Sequence, residues 1–199
     1  MSKYDEEYYV FERPIDDAIP SLIPDENTRD RQYTIKKVEG LAPLNFTNRM
    51  KKNNLTNNLD EKISEILFDA GNFLITDNIY KKINLKNLPL DYTSAIYVDN
   101  NEKWHEEYWY VRVTQRIDCW CRDRSRYLKK MIEATGAFHV FRYVLDEKVL
   151  DKIEEKDRLI FKMDKSAMGN IIVHKSFMEE YLLTENTKEN FTLISQYRG

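Results

Sequence analysis

Gly71-Asn72-Phe73-Leu74-Ile75-Thr76-Asp77-Asn78-Ile79-Tyr80-Lys81-Lys82-Ile83 is echoed further along the chain by Gly169-Asn170-Ile171-Ile172-Val173-His174-Lys175-Ser176-Phe177-Met178-Glu179-Glu180-Tyr181. Each copy opens on a Gly-Asn turn and runs through three strand-forming apolar residues. A polar stretch then leads into an amphipathic helical turn whose apolar pair lies four residues apart. Such a strand–helix unit hides one face only when packed on something else. Its recurrence predicts two copies sharing one sheet, or pseudo-related halves of about residues 1–100 and 101–199. Chance recurrence of a strand–turn–helix segment is the competing reading.

Outward from these copies, short strands dominate. Tyr8-Tyr9-Val10-Phe11 is an aromatic run stopped by Arg13-Pro14. Residues 33–38 and 94–98 also read as strands. Residues 106–117 form the longest candidate, with Tyr108, Tyr110, Arg112 and Thr114 alternating against Trp109, Val111, Val113 and Gln115. Apolar bulk on both of its faces predicts burial on two sides. Residues 138–145, 158–163 and 191–196 complete the strand set. Helices are expected over 59–69, capped by Asn58, and over 127–135, stopped by Gly136. Prolines 14, 20 and 24 mark 15–30 as irregular, and the Asn-, Lys- and Thr-rich stretch 45–58 reads mostly as loop. Strands outnumber helices without regular βαβα alternation. That predicts an α+β fold, a mixed or largely antiparallel sheet with short helices, in one domain spanning 1–199.

A chain of 199 residues, 42% hydrophobic and 33% charged, can bury a core without disulfide or metal staples. Its net charge of −3 is too mild a balance for a nucleic-acid binder, which usually carries a basic excess. Acidic residues crowd the N-terminal segment, Asp16 and Asp17 among them. They form either a solvated edge or an acidic docking surface for a basic partner. Cys119 and Cys121 are spaced for neither a redox pair nor a zinc ribbon, so free thiols are expected. The acidic start lacks the apolar stretch of a signal peptide, and no run approaches the ~18 apolar residues of a membrane span. A cytoplasmic location away from membranes is the expectation.

No phosphate-cradling glycine loop, nucleophile elbow, H-E-x-x-H or kinase signature occurs. His105 stands among Glu102, Glu106 and Glu107, a grouping able to bind a metal or act as a base, although charges at a strand start also mark a solvated turn. His139, between Phe138 and Val140, reads as a core-edge histidine. His174 holds the helix-start position of Thr76 and reads as a local cap. The densest polar cluster is Arg122-Asp123-Arg124-Ser125-Arg126, followed by Lys129 and Lys130. Arginine beside Trp120 and Tyr127 supplies the residue types that anchor protein interfaces. Neutralisation of these arginines by Asp118 and Asp123 within the fold is the structural alternative.

The order of landmarks resembles the bacterial polymorphic-toxin immunity proteins. Members open on a tyrosine-rich strand, as Tyr8-Tyr9-Val10-Phe11 does, and carry an apolar strand running into a helix, as Gly71 to Ile83 does. A strand leading into an Asp-Cys motif with a downstream serine is matched by Asp118-Cys119 and Ser125. The closing strand, turn, strand and helix are matched by Leu159-Ile160-Phe161-Lys162 and Ile171-Ile172-Val173. The likeness runs from about Tyr8 to Leu183; Cys121 stands where the family often has an acidic residue. It implies a non-catalytic protein that binds and inhibits a cognate toxin encoded nearby, with no cofactor, metal, nucleic acid or membrane involved. Candidate contacts are Trp104, Trp120, Arg122, Arg124, Arg126, Tyr127, Asp16 and Asp17. A metal-dependent hydrolase built on His105 and its glutamates, and a non-catalytic assembly subunit, are the alternative expectations.

Overall fold

The computed structural model describes residues 2–40, 42–69, 71–83 and 87–199. Its strands are β1 (Tyr8–Phe11), β2 (Leu22–Pro24), β3 (Leu44–Asn48), β4 (Ile66–Asp69), β5 (Asn72–Thr76), β6 (Leu90–Val98), β7 (Trp104–Val113), β8 (Arg116–Ile117), β9 (Arg126–Tyr127), β10 (Val140–Arg142), β11 (Ile160–Met163), β12 (Ile171–His174) and β13 (Phe191–Leu193). Short helices lie between them: α1 (Glu26–Asp30), α2 (Lys51–Thr56), α3 (Asp77–Ile83), α4 (Glu147–Leu150) and α5 (Lys175–Phe177), the last continuing as a π-helical turn over Met178–Leu182. The fold is α+β. Two compact units share the chain, one of Arg13–Arg112 and the other of Met1–Glu12 with Val113–Gly199.

In the unit Arg13–Arg112 the sheet order is β2-β3-β6-β7-β5-β4. The pairs β2–β3, β4–β5 and β5–β7 are antiparallel, and β3–β6 is parallel. Ser21, just before β2, bridges Phe68 of β4 in parallel, so the first and last strands meet and the sheet curls on itself. Leu22, Leu44, Phe46, Leu67, Leu74, Tyr97, Tyr108 and Tyr110 fill one core cluster. Alternation along β7 sends Trp109 to the other face, where it stacks on Tyr80 of α3 at 3.8 Å and donates from Nε1 to Asp77 at 2.9 Å. Both faces of this strand are thus covered, as its apolar bulk predicted.

The other unit repeats this plan. Its sheet order is β13-β1-β12-β11-β8. Aligning Gly71 with Gly169 makes Ile75 equivalent to Val173, and these pair with Ile66 and Ile160 in their hairpins. Thr76 faces Tyr108 of β7, while His174 faces Tyr8 of β1, in the same register. Phe68 bridges Ser21 in parallel, and Lys162 pairs Arg116 in parallel. Equivalent positions line the two cores: Leu67 and Phe161, Leu74 and Ile172, Tyr108 and Tyr8, Tyr110 and Val10. Both glycines have positive φ, +85° at Gly71 and +56° at Gly169, which is the conformation glycine tolerates without a Cβ clash. In chain order, however, β1 precedes the first copy and pairs with the second, while β7 opens the second copy and pairs with the first. The two copies have exchanged their opening strands.

Several sequence expectations change in this frame. Residues 33–38 form a turn, a bend and coil, not a strand, and Tyr33 enters the core from a loop. The irregular stretch 15–30 contains β2 and α1, with Asp25 accepting from Thr28 N at 2.7 Å as the helix cap. The supposed loop 45–58 holds most of β3 and all of α2. The expected helix 59–69 is coil followed by β4, and the expected helix 127–135 begins in β9 and ends in turns. Both misread segments space apolar residues three and four apart, which mimics a helix face.

Candidate functional site

In the unit containing Val113–Gly199, the chain bridges Trp120 to Leu145 and between them leaves the sheet as the antiparallel ribbon β9–β10. An aromatic knot pins its base. Trp120 meets Tyr127 edge-on at 5.0 Å and Phe138 at 6.0 Å, and its Nε1 donates to the Asp164 carbonyl at 3.1 Å. Trp120 is only 1% exposed, so its place among candidate contact residues is corrected: the ring is core, closed to any partner in the folded chain. Tyr127 is half-buried and belongs to the same knot.

The arginines divide by their surroundings. Arg122 lies 3.7 Å over the Trp120 ring and grips Asp118 with two hydrogen bonds of 2.5 and 2.9 Å, which fulfils the structural alternative for that residue. Arg124 is exposed and donates from Nε to the Cys121 sulfur at 3.4 Å. That contact is the chief reason the Cys121 thiol is held below its usual range; burial opposes it, and the N–H groups of Arg124 and Asp123 assist. Burial pushes Cys119 the other way. Arg126 is exposed on β9.

Farther along the ribbon, Leu128 and Met131 are 50% and 47% exposed. With Lys130, Ile132, Glu133 and His139 they line a concavity of about 450 Å³. His139 is exposed, not at the core edge. The sequence reading missed Leu128, Met131 and Ile132 because their helix-like spacing marked them as a buried face. Across residues 121–143, Arg122, Arg124, Arg126, Lys129, Lys130 and Arg142 outnumber Asp123 and Glu133, a local excess of +4 in a chain of net −3.

The remaining candidates lie in the unit Arg13–Arg112. Trp104 opens β7 and is 59% exposed. Asp17 is exposed, whereas Asp16 accepts from Ala18 N at 2.9 Å and from Lys62 at 2.9 Å; the lysine leads in holding its carboxyl below the usual range. Other N-terminal acids are used internally too. Asp5 is 1% exposed and accepts from Ser2 N and Leu145 N at 2.7 and 2.9 Å.

His105 is buried, and its Nε2 meets Asp99 at 3.0 Å, while Glu102 pairs with Lys51. Asp99 also accepts from Asn101 N and Lys103 N, closing the β6–β7 turn. The histidine therefore fastens a hairpin end, with the exposed Glu107 3.6 Å from its Nδ1. Among the described residues no group of three His, Cys, Asp or Glu side chains is arranged to hold a metal. His174 caps α5, its ring accepting from Ser176 N at 3.3 Å, as expected. No helix among the described residues is long and apolar enough to cross a membrane. The chain matches no protein-family model, and no curated protein matches it significantly.

Proposed function

We propose that this chain is a binding protein of the immunity type, which neutralises a cognate toxin by occupying it through the β9–β10 ribbon and the turns beyond it. The observation that carries the reading is the combination at residues 121–143: two half-exposed apolar side chains, Leu128 and Met131, set in a field of excess positive charge. Arginine and methionine are enriched in interfaces, and a local basic field speeds encounter with an acidic surface. The occupant is accordingly a protein presenting an acidic, partly apolar face. The aromatic knot below the ribbon provides the rigidity that keeps the ordering cost of binding low. The non-catalytic role implied by the family resemblance and the cytoplasmic setting belong to the proposal.

The test is co-expression with the product of the reading frame beside this one. Rescue of growth and a stable complex are expected, and both are lost on Leu128→Asp combined with Lys130→Glu. A product that stays toxic and forms no complex with the unaltered chain removes the reading.

A further inference from the structure

We propose that the cleft between the ribbon and the C-terminal residues binds a small multivalent oxyanion of the phosphate class. The cleft, about 290 Å³, is lined by Arg126, Phe141, Arg142, Arg198 and Gly199. Three arginines therefore line one small concavity. Pairing of β9 with β10 sets Arg126 directly opposite Arg142, a like-charge cross-strand pair that opposes the ribbon it belongs to. Among the described residues no carboxylate lies within ion-pair distance of Arg126, Arg142 or Arg198. By contrast Arg122, on the same ribbon, has its counter-ion in Asp118.

Arg198 is held against its own backbone. Its Nη1 donates to the carbonyls of Ser195 and Tyr197 at 3.1 and 2.7 Å, and Gly199 N donates to the Phe141 carbonyl at 3.0 Å, laying the tail along β10. Three arginines around one cavity, none of them ion-paired to a carboxylate among the described residues, fit an anion carrying two or more charges. Guanidinium donors match phosphoryl oxygens in pairs, where an ammonium would act only as a point charge. With the whole chain at net −3, attraction to an anion here is a property of this cleft and not of the molecule at large.

The inference goes beyond the docking reading and does not rest on it, because the test needs no protein partner. Isothermal titration of the full chain with pyrophosphate at low salt is expected to show one saturable site. Arg142→Gln and Arg198→Gln each weaken it by at least about tenfold. Arg122→Gln, outside the cleft, leaves the affinity within about twofold. The unliganded thermal midpoint of Arg142→Gln is expected to hold or rise, since the substitution removes a repulsion. Absence of saturable binding, binding that survives the Arg126→Gln/Arg142→Gln double substitution, or a midpoint that falls with Arg142→Gln overturns the proposal.

Discussion

Replacing Trp120 by alanine removes a ring that touches Tyr127, Phe138 and Arg122 and leaves the Asp164 carbonyl without its donor. Buried Trp→Ala changes cost about 3–5 kcal/mol, so a large fall in the urea midpoint is expected, where Leu128→Ser should shift it by less than about 0.5 kcal/mol. The cysteines differ just as sharply. Cys121, held down by Arg124 and partly exposed, is expected to alkylate several-fold faster than the enclosed Cys119 at neutral pH. Arg124→Gln should slow that reaction and move its pH midpoint upward, which mass spectrometry of iodoacetamide-treated protein can read. Asp99 gives a pH signature of the opposite kind. Burial raises its pKa, but hydrogen bonds from His105 and two backbone N–H groups outweigh burial and hold the folded value below the ordinary one. Its contribution is therefore fully present above the unfolded carboxylate pKa of about 3.9 and lost as pH falls through the depressed folded value. Asp99→Asn is expected to be weaker than the parent at neutral pH, with the gap narrowing in acid denaturant titrations.

At the scale of elements, β1 contributes more than its length suggests. Tyr8, Val10 and Phe11 are essentially unexposed, each worth roughly 1.5–3 kcal/mol of burial, and the strand sits between β12 and β13. Deleting residues 2–12 uncovers an edge on each neighbour. Self-association and loss of protection in β12 and β13, with β5 and β7 still protected, are expected by hydrogen exchange. The strand–helix copies were legible in the sequence because a Gly-Asn turn and an apolar triplet are local signals. The neighbouring strand β4 was harder, whereas its counterpart β11 was read as a strand over 158–163. All four residues of β4 are buried, so it lacks the alternation that marks a half-solvated strand. In β4 the spacing of Ile63, Ile66 and Leu67 imitated a helix, although Ile63 is coil and 38% exposed. The site was legible in part for the same reason. The charge cluster at 122–126 is contiguous, whereas Arg142 and Arg198 reach the cleft only through strand pairing and the tail.

For the whole molecule, the exchanged strands determine which fragments can fold. A cut in the β6–β7 turn, between Asn101 and Glu102, gives two sequence copies, each lacking the strand that its own sheet needs. Residues 1–101 keep β1, which has no β12 to pair with, and lack β7; residues 102–199 keep β7 and lack β1. Expressed alone, each is expected to be largely unfolded or aggregated. Expressed together they should associate one-to-one, because every missing strand is present on the other fragment, and association supplies the burial that neither can reach by itself. A circular permutant separates this account from simple contact between halves. Starting the chain at Arg13 and joining residues 2–12 behind Gly199 through a flexible Gly/Ser linker places β1 after β13, the order in which β7 follows β6 in the other unit. The permutant should fold with a denaturation midpoint near the parent's, and its residues 13–112, expressed separately, should fold as an independent unit. Failure of that 13–112 fragment to give a cooperative transition, while the 1–101 fragment folds by itself, would show that the strand exchange does not hold the molecule together.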